Sequence, residues 1–180
     1  MVSTPATSAH GQTLFAKNSD RPQEEAQPLT LRPREKHAED AVVKLQFVGI
    51  PQASTTFRHV GSRPYWCRGY EQGFNEHQVV IGNEALPSRL PETNSPKLIG
   101  MELLRLGLER SATAEQAVDV MTALIERHGQ GRFANDEGVR TYDNISSWPP
   151  TPTRRMSSRR WATTGQRGAS RQAPRSATSA

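Results

Sequence analysis

The sequence predicts an α+β domain, on three features read along the chain. Up to about Gly82 the apolar residues come in short runs or alternate with polar ones, the period of two that marks strands. From about Ser95 to His128 they recur at steps of three and four, which marks helices. Strands followed by a helix pair that must cover a sheet make a layered α+β arrangement. Beyond Asn144 the chain changes character, and residues 145–180 are expected to form a disordered basic tail.

Met1 to His10 is small and polar. Gly11 supplies a turn before Thr13-Leu14-Phe15, a short run of strand formers that Pro22 closes off. Gln27 to Arg32 alternates well enough for a second strand, and Pro33 to Asp40 reads as a charged connection. Ala41 to Gly49 is expected as one strand with Val43, Leu45 and Phe47 on a common face, and Thr55 to Val60 as its hairpin partner. Gly73 to His77 reads as a turn and Val79 to Gly82 as a buried strand. Ser95 and Pro96 start a helix running to about Arg110, with Pro where its missing N–H costs nothing. Thr113-Ala-Glu-Gln116 is a capping box for a second helix, with an apolar stripe of Ala117, Val120, Met121, Leu124, Ile125 and His128 closed by Gly129. His128 at that helix end would carry a charge suited to the dipole.

The net charge of +5 over 180 residues conceals a division. Seven of the 23 Lys and Arg residues follow Asn144, whereas all 18 acids precede Ile145. The basic balance therefore belongs to the tail and says nothing about partners of the body. The tail holds seven Arg, seven Ser, five Thr and four Pro, with Ile145, Trp148, Met156 and Trp161 as its large apolar residues. That is too little apolar surface to offset chain entropy. Cys67 is the single cysteine, so an intrachain disulfide and a cysteine-based zinc site are both excluded. No stretch has the length of an apolar membrane span, and the N-terminus lacks the pattern of a signal peptide. A cytoplasmic protein with no membrane or nucleic-acid partner follows.

A Gly-x-Ser-x-Gly elbow, a phosphate-binding glycine loop and paired metal-ligand histidines are all missing, and neither a metal nor a cofactor is expected. Cys67 lies between Trp66 and Arg68 with no base suggested nearby and is read as a structural thiol. The remaining concentration of chemistry is Lys17, Asn18, Asp20 and Arg21, crowded at the end of the first strand. Strand ends are where a rigid sheet hands residues to a site. On its own the segment reads better as a polar strand-to-loop exit with solvated charges.

Three blocks give that segment a context. The first is Thr13-Leu-Phe-Ala-Lys-Asn-Ser-Asp-Arg-Pro22. The second runs through Ser62-Arg-Pro-Tyr-Trp66, Gly69, Gly73-Phe-Asn-Glu-His77 and Val79-Val-Ile-Gly-Asn-Glu-Ala85. The third lies between Leu103 and Gly131, with Leu-Glu-Arg-Ser-Ala-Thr-Ala-Glu-Gln-Ala-Val at its centre. Taken in order from about Val2 to Asn144, these resemble the secernin-like cysteine dipeptidases, N-terminal-nucleophile hydrolases related to penicillin V acylases and bile salt hydrolases. The resemblance implies part of an αββα sandwich, with residues 1–144 as the N-terminal portion of the domain. It also implies hydrolysis of a dipeptide or another small amide by acyl transfer through a cysteine thioester.

In that family an N-terminal cysteine attacks the amide, and its free α-amino group serves as the base. The cysteine is expected just upstream of Met1. Lys17 then matches the basic residue beside the nucleophile, and Asp20 the acid that orients its amino and thiol groups. Asn83 matches a donor of the oxyanion hole. Arg21 and Asn75 occupy motif positions without an assigned role, Asn75 being equally a turn residue in left-handed geometry. A second asparagine and an arginine of the family site have no counterpart, because the resemblance stops near Asn144. An alternative reading of the tail frame supports a frameshift there, since the forced codons at Trp148–Pro149 and Trp161–Ala162 give alanine and glycine. The competing readings are a catalytically dead remnant that acts as a binding protein, and a non-specific nucleic-acid binder using the Arg-rich tail.

Overall fold

The computed structural model describes residues 1–3, 5–84 and 97–131, together with the backbone of three later strands, Phe133–Asn135, Gly138–Arg140 and Ile145–Trp148. Ten short strands come first: β1 (Val2–Ser3), β2 (Leu14–Phe15), β3 (Leu29–Arg32), β4 (Glu35–Lys36), β5 (Val42–Lys44), β6 (Gly49–Pro51), β7 (Thr55–Thr56), β8 (His59–Ser62), β9 (Gln72–Asn75) and β10 (Val80–Asn83). Two helices follow, α1 (Gly100–Arg110) and α2 (Ala114–His128), and the later strands are β11, β12 and β13. The fold is α+β, as the patterning predicts.

One antiparallel sheet, in the order β13-β10-β9-β8-β3, is the platform. Its alternation sorts the side chains. Gly61, Gly73 and Ile81 share one face through the pairs Gly61↔Gly73 and Ile81↔Gly73. A Cβ on Gly73 would meet Leu108 of α1, and Ile81 lies against Gly107, so this is the helix-covered face. The helix α1 is buried on nearly all sides, with Leu103, Leu104, Leu106 and Leu108 in the main core beside Ile50, Tyr70 and Ile81. At Gly69 the chain passes so close to the Met101 backbone that a Cβ would sit 2.2 Å from its carbonyl carbon. The opposite face carries Gly82, and the β1–β2 pair lies over it through Phe15. Leu31 and Phe74 of that face are exposed.

Helix α2 begins as its sequence indicates. Thr113 Oγ1 accepts from the Gln116 amide at 3.1 Å, although the Gln116 side chain takes the Ala112 amide at 2.7 Å, not that of Thr113. Gly129 closes the helix at φ 72, its N–H donating to the Ile125 carbonyl at 2.8 Å. The buried stripe includes Ala114 and Val118 beside Ala117, Met121 and Leu124, while Val120 and Ile125 are only partly covered. Burial and the cations Arg127 and Arg110 lower the His128 pKa, contrary to the charged state expected at that helix end.

Several boundaries differ from the sequence reading. Lys97 to Ile99 are not helical, and Leu98 bridges in parallel to Gln130, so α1 starts at Gly100; Ser95 and Pro96 lie outside the described residues. The single strand expected over Ala41 to Gly49 is the β5–β6 hairpin, turned where the Leu45 amide meets the Val48 carbonyl at 2.9 Å. Its cause is distant: the buried Glu102 carboxylate on α1 accepts the Gln46 amide. Phe47 is consequently exposed, whereas Val43 and Leu45 are buried. The connection Pro33 to Asp40 contains β4, which pairs with β7, and β8 pairs with β3 and β9. Gly73 to Asn75 is strand, and the turn falls at Glu76 to Gln78. Ile145–Trp148, at the start of the segment set apart by composition, is β13 and pairs with β10; residues 149–180 lie outside the described residues. Among the described residues no helix is long and apolar enough to cross a membrane.

Candidate functional site

Phe15 is the last residue of β2, and its ring lies over Gly82, where a Cβ would stand 2.7 Å from it. A glycine at that point of β10 lets the two layers meet. The chain leaving β2 is thereby held against the face of the sheet at β10, and Lys17, Asp20 and Arg21 follow it there. The Lys17 stem passes the same glycine, and its ammonium donates to the Asn18 carbonyl at 3.0 Å and Ser19 Oγ at 3.2 Å.

The partner that sequence reasoning missed is Glu71, which is 5% exposed. Its Oε2 lies 3.6 Å from Lys17 Nζ and its Oε1 3.7 Å from Arg21 Nη1. Arg21 also forms a bidentate pair with Glu25, Nε to Oε1 at 2.7 Å and Nη2 to Oε2 at 2.8 Å. Trp66 completes this group: its indole N–H donates to Glu25 Oε2 at 3.1 Å, and Arg21 lies 5.7 Å from the ring centre. Two cations and two carboxylates thus neutralise one another with little exposure, which is the condition for keeping buried charges. A hairpin turning at Glu76 to Gln78 sets Glu71 opposite Asn83, on the same face as Gly73 and Asn75.

Asn83 is held by that opposition. Its amide N–H donates to the Glu71 carbonyl at 2.8 Å, and its side-chain Nδ2 donates to Glu71 Oε2 at 3.4 Å. Its Oδ1 is buried without a hydrogen-bond partner among the described residues. The neighbouring cleft, of about 520 Å³, is lined by Lys17, Asp20, Gly82, Glu84, Phe15 and Met1. Lys17 and Asp20 therefore share one cleft, whereas Asn83 stands behind it and reaches Lys17 through Glu71. Arg21 belongs to the buried group, not to the lining.

The N-terminus itself meets this cleft. The Met1 ammonium donates to the Ala16 carbonyl at 2.7 Å, and the Ala16 amide returns to the Met1 carbonyl at 3.0 Å. The β1–β2 ladder, Val2↔Phe15 and Ser3↔Leu14, sets that arrangement.

Two other singled-out residues have structural roles. Cys67 is fully buried, accepts the Gly69 amide at 3.2 Å, and has its thiol pKa pushed up to about 12 by burial. A thiol protonated at neutral pH is no nucleophile. Asn75 is buried, and the left-handed residue of its turn is Gln78 at φ 62, not Asn75. Asn75 Nδ2 donates to the carbonyls of Leu108 and Ser111 at 2.9 and 2.7 Å, while Oδ1 accepts the amides of His77 and Val79 at 3.0 and 3.1 Å. No protein-family model matches the chain, and no solved structure matches it significantly.

Proposed function

We propose that this chain is the N-terminal portion of a cytoplasmic hydrolase of the N-terminal-nucleophile type, acting on dipeptides or similar small amides. One observation carries the proposal: the first strand starts from Met1 in the cleft that holds Lys17 and Asp20. Met1 already pairs with Ala16, so the same antiparallel ladder continued backwards would run along Lys17, Asn18 and Ser19. A cysteine a few residues upstream would then arrive beside Asp20, with its α-amino group free. That amino group titrates near neutrality and can take the proton of its own thiol. Lys17 would stabilise the thiolate and Asp20 would hold the ammonium. The lining also suits the substrate class. Lys17, Asp20 and Glu84 line the cleft together, so it offers both signs of charge to a zwitterionic dipeptide.

Asn83 enters this reading as an oxyanion donor only if a substrate draws its Nδ2 away from the 3.4 Å contact with Glu71. The chain has its one thiol, Cys67, in a separate buried cluster outside the cleft. The test compares it with a variant carrying Cys-Asp-Thr ahead of Met1, processed to a free cysteine. The added thiol should alkylate rapidly at neutral pH, and Lys17→Ala or Asp20→Ala should slow it by about tenfold or more. An added thiol that reacts no faster than free cysteine in solution removes the proposal.

A further inference from the structure

A second cleft, of about 570 Å³, has lining of one sign. Arg32 of β3, Lys44 of β5, Arg63 and Arg68 from the loop after β8, and Arg105 of α1 all line it, with Tyr70 beside them. No Asp or Glu lines it among the described residues. Four separate stretches of chain supply these five cations, so the concentration is a product of the fold and not of a charged run in the sequence.

The guanidinium groups are also held in place. Arg63 Nη1 donates to the Cys67 and Tyr65 carbonyls at 2.7 and 3.1 Å, and Arg68 Nη1 donates to the Lys44 carbonyl at 3.1 Å. Arg105 Nη1 donates to the Arg68 carbonyl at 3.1 Å while its Nε pairs with Glu109 at 2.6 Å. Each anchoring uses only part of a guanidinium's five N–H donors. Two carboxylates stand behind the wall: Glu109 is matched to Arg105, and Glu102 is occupied by the backbone amides of Gln46 and Ile99. Arg32, Lys44, Arg63 and Arg68 form no ion pair among the described residues. Cations gathered in a concave site repel one another, and the field they create favours an anion.

We infer that this cleft binds a small polyanion, a phosphorylated or multiply carboxylated metabolite, at a site separate from the Lys17–Asp20 cleft. Its volume lies in the range of small-molecule sites. Fixed guanidinium forks suit phosphate and carboxylate oxygens alike, so the two sources share one chemistry.

The test is calorimetric titration of the full chain with pyrophosphate and, separately, with citrate, at matched ionic strength against sodium chloride. Saturable binding of either is expected, and which one binds more tightly identifies the source. Lys44→Glu and Arg32→Glu each alter an exposed side chain, and each should weaken binding by about tenfold or more while circular dichroism stays unchanged. Absence of saturable binding by both anions overturns the inference. Binding that persists undiminished in both variants overturns it too, because the anion would then be held by cations outside the cleft.

Discussion

Asn75 offers the most direct test of how this fold is tied together. One side chain satisfies four backbone groups, three of them buried: the carbonyls of Leu108 and Ser111 at the end of α1, and the amides of His77 and Val79 across the β9–β10 turn. The helix carbonyls are among those that no intrahelical donor can reach. At a net value of about 1 kcal/mol per bond, Asn75→Ala should cost about 4 kcal/mol, with water at the exposed His77 end recovering part of it. Against a total stability of about 5–15 kcal/mol, that is a large fraction. Asn75→Asp discriminates further. It is nearly isosteric and keeps the acceptor for the two amides, but sets a carboxylate oxygen against two carbonyl oxygens. At pH 7 it should cost at least as much as alanine. Urea unfolding of the full chain followed by circular dichroism gives both numbers. An aspartate variant within about 1 kcal/mol of wild type would falsify the assignment of Nδ2 to the carbonyls, and with it the structural role.

Glu71→Gln should cost about 3–5 kcal/mol, because Lys17 and Arg21 keep buried charges with one counter-charge removed. Adding Lys17→Met should recover part of the loss, and strict additivity in the double variant would show that the two residues do not interact. Glu102→Ala should cost about 2–4 kcal/mol and speed hydrogen exchange at the Gln46 amide; unchanged exchange there would mean the turn holds itself. His59 is buried, with Nδ1 donating to the Phe57 carbonyl at 2.8 Å and Nε2 facing the Tyr70 hydroxyl at 3.1 Å. Burial holds its pKa below the ordinary 6.5, so its contribution to stability is complete above 6.5 and is lost as pH falls through that value toward the lower folded one. The loss approaches about 1.4 kcal/mol per pH unit, and His59→Gln should remove that component from the melting temperature measured between pH 7.5 and 5. Identical pH profiles for the two proteins would exclude His59 as the source.

What could be read from the sequence, and what could not, divides by the range of the interactions. Thr113 and Gly129 bracket α2 through groups three or four residues away, so their roles are written in the local sequence. The β5–β6 turn has no such record. Leu45 to Val48 contains no glycine, proline or asparagine, and its alternation continues that of a single strand. It turns because a carboxylate 56 residues later captures the Gln46 amide, and tertiary contact overrides local pattern. The site divides in the same way. Lys17 and Asp20 are three residues apart in sequence and share a cleft, as their crowding at a strand end suggests. The relation of Lys17 to Asn83 depends on Glu71, an acid with no motif around it, and becomes visible only once the β9–β10 register is known. The basic cleft lies furthest from the sequence, since its five cations span Arg32 to Arg105 and none neighbours another at helical or strand spacing. Charge placed by long-range topology is invisible to composition, and a body of nearly balanced charge can still present a surface of one sign.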